Sequence, residues 1–272
     1  MNKNSKLLPL TLALSLSLPF AVMADDHGKH AFDNSHRSEA NQKRDEFRKP
    51  HETLAFFGVK SSDKVVEILP GGGWYTEILA PMLKDEGELV AAHYPTTVES
   101  KYRKRSRDNF EKKLSENKKV YGKVTVADFD AKAGVDKKAM NADVVLTFRG
   151  LHGLQNGNDL AAAFSQFNQM LKKGGKLGVV QHQAPEGYDA VQTARKGYLP
   201  KSHVVAVAKA SGFDLVAEGY FHNNPMDRII VDGVAGGVWS LPPSLRVKEE
   251  ADKEKFQKVG ESNRMTLLFK KR

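Results

Sequence analysis

The chain has 272 residues, a formal charge of +9 and no cysteine. That length suits one α/β domain with a core large enough to fold alone, and the missing thiols exclude disulfides, cysteine nucleophiles and thiolate metal sites. The basic excess reads either as solubility or as a preference for an anionic substrate or lipid surface, and with no nucleic-acid module signature it does not read as a nucleic-acid site.

At the N-terminus Lys3 and Lys6 precede an apolar run over 7–23, and Val22-Met23-Ala24 offers a cleavage site. This is the order of a secretory signal. Pro9 and Pro19 interrupt the run, which is short for a membrane span. Residues 1–24 are therefore expected to be a signal peptide cut after Ala24, with the periplasm as destination. No other stretch is apolar enough for stable membrane insertion. After such a cut the chain begins Asp25-Asp26-His27, whose terminal amine, amides and imidazole can form a planar nitrogen set for Cu(II) or Ni(II). The plainer reading of residues 25–38 is a flexible, polar, His-rich spacer, and no metal is assigned to the domain at 39–272.

Residues 39–57 read as a charged helix that Pro50 kinks or divides. Strands are predicted over 64–69, 88–93, 119–127, 142–148, 176–181, 214–221 and 264–270. Helices fall between them at 74–83, 100–116, 136–140, 158–171 and 203–211. Such alternation requires a mostly parallel sheet with helices on both faces. The basic run from Lys101 to Arg107 reads as a solvated helix face. Residues 183–200 read as a lid, and 223–263 as irregular chain.

Within the first strand Val65, Val66 and Ile68 suit burial, whereas Glu67 suits it only near the strand end, where α/β ligand sites lie. Gly71-Gly72-Gly73 follows directly and a helix opens after it. Such a turn lets a ligand approach backbone N–H groups without meeting a Cβ. Valine at Gly72 or Gly73 is thus expected to abolish ligand binding and leave the fold intact.

The run Gly71-Gly72-Gly73-Trp74-Tyr75-Thr76-Glu77-Ile78-Leu79-Ala80-Pro81 resembles a bacterial family of predicted, often exported, S-adenosylmethionine-dependent methyltransferases. The likeness extends back to Arg44-Asp45-Glu46-Phe47-Arg48 and Phe57-Gly58-Val59, and on into Lys172-Lys173-Gly174-Gly175, Ala210-Ser211-Gly212-Phe213 and Trp239-Ser240-Leu241-Pro242-Pro243. It implies a Rossmann-like class I methyltransferase fold with a seven-stranded sheet. It also implies cofactor contacts from Glu67, Gly71, Gly72 and Gly73, and from Asp128, whose carboxylate matches the usual partner of the adenine amine, with Phe129 covering the ring. Two positions depart from the family pattern. Leu69 replaces the first glycine, and Ala91-Ala92-His93-Tyr94 lacks the usual ribose carboxylate, leaving His93 as a hydroxyl partner.

Methyl transfer to oxygen or nitrogen needs an oriented acceptor and a base. His152 and His182, each just past a predicted strand end, are the candidates for base or substrate contact. Trp74 and Tyr75 could wall the pocket or pack the helix, and Arg44 and Arg48 could hold an anion or pair with nearby carboxylates. The expected function is methyl transfer to a small-molecule acceptor, with no nucleic-acid partner. S-adenosylmethionine is made in the cytoplasm, so the alternative is an exported, non-catalytic protein that keeps the fold and binds an adenosine-like or anionic ligand. Nicotinamide redox chemistry fits less well, because Thr76 stands where the dinucleotide fingerprint needs its third glycine.

Overall fold

Val65, Val66, Glu67 and Ile68 are all buried, as a strand covered on both faces requires, and they form the centre of β1 (Lys64–Ile68). The structure is a computed structural model and describes residues 35–232 and 236–272. The expected signal peptide and cleavage site, the Asp25-Asp26-His27 terminus and most of the 25–38 segment lie outside the described residues.

The other strands are β2 (Glu88–His93), β3 (Thr125–Asp130), β4 (Gly134–Val135), β5 (Ala142–Phe148), β6 (Leu171–Ala184), β7 (Leu199–Pro200), β8 (Phe213–Gly219) and β9 (Arg264–Lys271). The sheet runs β4-β3-β2-β1-β5-β6-β9-β8, with β7 alongside β6. Pairing is parallel from β3 through β6, while β9 runs antiparallel between β6 and β8. The seven expected strands make the sheet, and the two-residue β4 and β7 add to it. Because β1 lies between β2 and β5, the chain changes direction across the sheet at β1, and a crevice opens beyond the ends of β1 and β5.

The helices are α1 (Glu39–Gln42), α2 (Asp45–Arg48), α3 (Pro50–Phe57), α4 (Thr76–Leu83), α5 (Lys101–Glu116), α6 (Lys118–Tyr121), α7 (Leu151–Asn156), α8 (Leu160–Met170), α9 (Ala190–Ala194), α10 (Lys201–Ala210) and α11 (Glu250–Val259). Alternate residues of the strands feed two cores. Val66, Ile68, Val90 and Val145 pack with Phe164, Phe167 and Ala208 of α8 and α10. Val65, Leu89 and Val144 pack on the other face with Phe57, Ile78, Leu79 and Phe110 of α3, α4 and α5.

Pro50 does divide the first helical region, with Lys49 left-handed (φ 39°) and Pro50 opening α3. Pro81 within α4 has no N–H for the carbonyl of Glu77, and His36 Nε2 donates to that oxygen instead (2.8 Å). The neighbouring Arg37 is buried and bonds Asp45 (2.8 Å) and Glu77 (3.3 Å), so this end of the expected flexible segment is anchored.

Several elements differ from expectation, among them β6, which begins at Leu171, and the unpredicted α7 after β5. Residues 119–124 were expected in the third strand, but Asn117 caps a helical turn by accepting from Val120 N, and Tyr121 buries beneath it. Strand β3 therefore starts later and contains Asp128 and Phe129. Within 223–263, expected to be irregular, Phe256 is buried and draws α11 onto the domain. The expected lid over 183–200 is pinned at its far end, where Thr193, Ala194, Tyr198 and Leu199 are buried.

Candidate active site

The crevice beyond β1 and β5 holds a cleft of about 340 Å³. Leu69 and Gly71 line it after β1, Tyr94 and Pro95 after β2, Phe129 and Asp130 from β3, and Phe148, Arg149 and His152 after β5. Tyr102, Arg103 and Ser106 of α5 close one side.

The three glycines behave differently. Gly71 is left-handed (φ 59°) and lines the cleft, and a Cβ on Gly71 or Gly72 would meet nothing within 4 Å. Among the described residues no acceptor takes the N–H of Gly71 or Gly72, whereas Gly73 N–H bonds Pro70 O (2.9 Å). Gly73 is left-handed as well (φ 74°), and a Cβ there would stand 2.9 Å from Phe110 Cε2. The expectation that valine at Gly73 spares the fold is therefore corrected: that position is closed by packing. Lys113 secures the turn from behind, donating to Gly72 O (2.9 Å) and Glu77 Oε1 (2.6 Å). Leu69 occupies the family's first glycine position with the left-handed backbone that a glycine adopts freely (φ 49°). Its side chain borders the cleft.

Glu67 is buried behind this turn and accepts a hydrogen bond from Thr76 Oγ1 (2.6 Å). Burial pushes its carboxyl up to about 7, against the pull of that hydrogen bond and of the Lys113 and Arg149 charges. It ties β1 to the start of α4 and does not line the cleft.

His93 is fully buried and is not among the residues that line the cleft. Its Nδ1 accepts from Tyr94 N (2.8 Å), which places the proton of the neutral ring on Nε2, facing Gly71 O at 3.3 Å. Burial holds the ring neutral, with its pKa lowered to about 4. It fastens the end of β2 to the glycine turn.

Asp128 is exposed and paired, accepting from Arg107 Nη1 at 2.9 Å, and it does not line the cleft. The next acidic residue on that side of β3, Asp130, does line it, and so does Phe129, which also packs on Phe167. Arg107 of α5 bridges Asp128 and Tyr94 O (2.7 Å).

His152 and His182 come together as expected, with ring centroids 5.7 Å apart. His152 borders the cleft beside Trp239 (centroids 6.0 Å). Its Nδ1 faces Gln181 Nε2 at 3.4 Å, so the neutral ring carries its proton on Nε2. His182 is buried, with Nδ1 2.5 Å from Ser262 Oγ. Burial lowers His152 to about 4 and His182 well below its ordinary value, so both rings are neutral at pH 7. In this tautomer His152 offers an N–H donor to an acceptor's oxygen, and service as a base requires the proton to move to Nδ1. Tyr75 stacks on Phe148 (centroids 3.6 Å), and Trp74 lies beneath the Arg48 and Arg37 guanidiniums (4.6 and 5.0 Å). Both aromatic side chains are buried and so pack the helix.

Sequence reasoning did not select Tyr94, Tyr102, Arg103, Asp130 or Arg149 for the cleft. For α5 a signal existed: Tyr102, Arg103 and Ser106 share one helical face, but a basic run ordinarily signals solvent exposure. Among the described residues no three His, Cys, Asp or Glu side chains gather to hold a metal ion, and no helix is long and apolar enough to cross a membrane.

The strand order, with one antiparallel strand inserted next to the last, and the cleft at its switch point define a Rossmann-like class I methyltransferase fold. A methyltransferase from Aquifex aeolicus, described as dependent on S-adenosylmethionine, superposes with a TM-score of 0.51 at 16% identity over 69% of this chain and 92% of that one. The N-methyltransferase NodS of Bradyrhizobium japonicum, solved with S-adenosylhomocysteine, gives 0.51 at 14% identity over 87% and 94%. The [4+2]-cyclase SpnF gives 0.56 at 15% identity over 89% and 86%. Likeness at these identities establishes the fold, and SpnF carries an activity other than methyl transfer on it. No protein-family model matches the chain, and no curated protein sequence matches it.

Proposed function

We propose that this chain transfers a methyl group from S-adenosylmethionine to a small-molecule acceptor, and that it does so after export to the periplasm through the leader at 1–24. The observation that carries the reading is the cleft at the switch point, bordered by a glycine turn with open space at Gly71 and Gly72 and two N–H groups without acceptors. S-adenosylmethionine, when bound, supplies a sulfonium-activated methyl group. Gly71 and Gly72 offer N–H groups and close approach, Tyr94, Val98 and Phe129 offer apolar walls for a purine, and Asp130 offers a carboxylate acceptor. His152, neutral and at the border of the cleft, orients the acceptor through its ring N–H. Phe148, which lines the cleft, is backed by the stacked ring of Tyr75.

Titration calorimetry of the purified mature chain tests the reading. S-adenosylmethionine and S-adenosylhomocysteine should both bind at micromolar concentration, and Gly71→Val should lose both. Absence of binding in the wild-type chain would overturn methyl transfer in favour of a different ligand. Mass spectrometry of the exported protein should give Asp25 as its first residue.

A further inference from the structure

Arg149 ends the β5 edge of the cleft in a left-handed backbone conformation (φ 59°), with its N–H bonded to Val180 O at 2.6 Å. That conformation is strained for a residue with a Cβ. Arg149 lines the cleft, and among the described residues no acceptor takes a hydrogen bond from its guanidinium. Burial lowers its pKa to about 10, with the nearby Arg264 charge acting the same way, so it remains protonated at neutral pH.

Behind it stands an unbalanced set of buried charges. Glu261 accepts from Arg44 Nε (2.8 Å), Arg48 Nε (3.3 Å) and Arg264 Nη2. The Arg48 and Arg264 side chains are almost wholly buried, and Arg48 Nη1 has no hydrogen-bond partner. With Arg149, four guanidinium groups stand around Glu261; a second carboxylate near Arg264, Asp227, is engaged by Asn263 N (2.8 Å) and Tyr198 Oη (3.1 Å). The other titratable groups around Arg149 do not offset this charge. His152, His182 and His222 are held neutral by burial, Tyr75 is pushed up to about 12, and the carboxyl of Glu67 is bonded to Thr76. The cleft's own carboxylates, Asp130 and Asp159, belong to its β3 and α8 side, where Asp159 pairs with Lys132 (2.8 Å). Burying like charges without partners is unfavourable, and an entering oxyanion offsets that cost.

We propose that the cleft takes an anionic acceptor, bearing a carboxylate or a phosphate, and that the Arg149 guanidinium binds that anion through its paired N–H donors. Calling the anion the acceptor rests on the methyl-transfer reading, whereas the anion site itself does not. Arg44, Arg48 and Arg264 keep the region positive around Arg149.

Calorimetry of the mature chain with benzoate, phenyl phosphate and neutral benzamide tests this. At least one of the two anions should bind about tenfold or more tightly than benzamide, and the tighter of them identifies the oxyanion. Arg149→Gln should lose about tenfold of that binding, while Arg149→Lys, which keeps the charge without the fork, should fall between. Arg149→Gly relieves the left-handed backbone, so a folded Arg149→Gly chain that has lost anion binding separates recognition from stability. S-adenosylhomocysteine affinity should be unchanged in all three variants. The proposal is overturned by equal binding of anions and benzamide, by wild-type anion affinity in the variants, or by a parallel loss of S-adenosylhomocysteine, which would mark the anion as the cofactor's own carboxylate. Anion binding as described in a chain that ignores S-adenosylhomocysteine would sustain the site and remove methyl transfer.

Discussion

Gly72 and Gly73 are adjacent and chemically identical, yet substitutions at them should act on different properties. A Cβ on Gly72 enters open space, so Gly72→Val should leave folding near wild type and reduce S-adenosylhomocysteine affinity by crowding the approach to the turn. A Cβ on Gly73 meets Phe110 at 2.9 Å and must also adopt φ 74°. Left-handed strain costs about 1–2 kcal/mol and overpacking about 1–3 kcal/mol, so Gly73→Val should lower unfolding free energy by roughly 2–5 kcal/mol. Urea titration of both variants checks this, and equal stability would contradict the assigned packing. The glycine run was legible from sequence because strand, turn and helix are local signals. Its division between an open position and a packed one was not, because Phe110 arrives from a helix 37 residues on in numbering and from the other side of the turn.

At the scale of elements, α2 is joined to the edge of β9 by charge. Arg44 and Arg48 of the N-terminal region meet Glu261, separated from them by 217 and 213 positions in sequence. His222 adds to the same junction, with Nε2 2.9 Å from Arg48 O and Nδ1 2.7 Å from Thr266 Oγ1. Removing one partner of a buried ion pair costs about 3–5 kcal/mol, because the other charge stays buried. Glu261→Ala should therefore destabilise the chain by about that amount, with early proteolytic release of residues 35–57. Wild-type stability and protease resistance in this variant would show that the junction is not held by charge. Sequence reading reached Arg44 and Arg48 as an anion-binding pair or as partners of nearby carboxylates, and the structure supplies a distant carboxylate instead. Helix α6 shows the complementary failure, since Lys118–Tyr121 has apolar residues that suit a strand, and only the Asn117 cap and burial of Tyr121 select the helix.

For the molecule as a whole, four histidines, three of them buried and His152 at the border of the cleft, set the response to acid. His93 and His152 are lowered to about 4 and His222 to about 3, and His182 lies well below its ordinary value, all chiefly through burial. Their unfolded values are near 6.5, so between about pH 6.5 and 4 the unfolded chain takes up protons that the folded chain refuses. Stability must fall as the pH falls through that window. Glu67 opposes this. Its folded value of about 7 lies above the ordinary 4.5, so its contribution is present at low pH and is lost as the pH rises through 7. His51 and His203 are lowered as well and Asp227 is raised, so the lowered histidines outnumber the raised carboxyls and the net effect is a loss of stability on acidification. Urea unfolding at pH 7 and pH 5 should show a large loss on acidification, and Glu67→Gln should raise stability at pH 8 more than at pH 5. Equal stability at pH 7 and 5 would contradict the assigned burial of these rings.

What the sequence determined by itself is the order of the seven main strands, the buried first strand, the glycine turn and the sheet edge on which the cleft lies. Those features depend on residue periodicity, backbone freedom and chain connectivity, which are all written within short stretches. Which charged and polar side chains face the cleft was decided by tertiary structure. Helix rotation and strand register brought Arg107 onto Asp128, turned His93 inward beneath Gly71, placed Asp130 and Arg103 at the cleft and left Arg149 without a hydrogen-bond partner there among the described residues. A charged side chain's environment is the sum of partners drawn from distant elements, so identical residue types end as a clamp, a core bond or a ligand contact according to where packing leaves them.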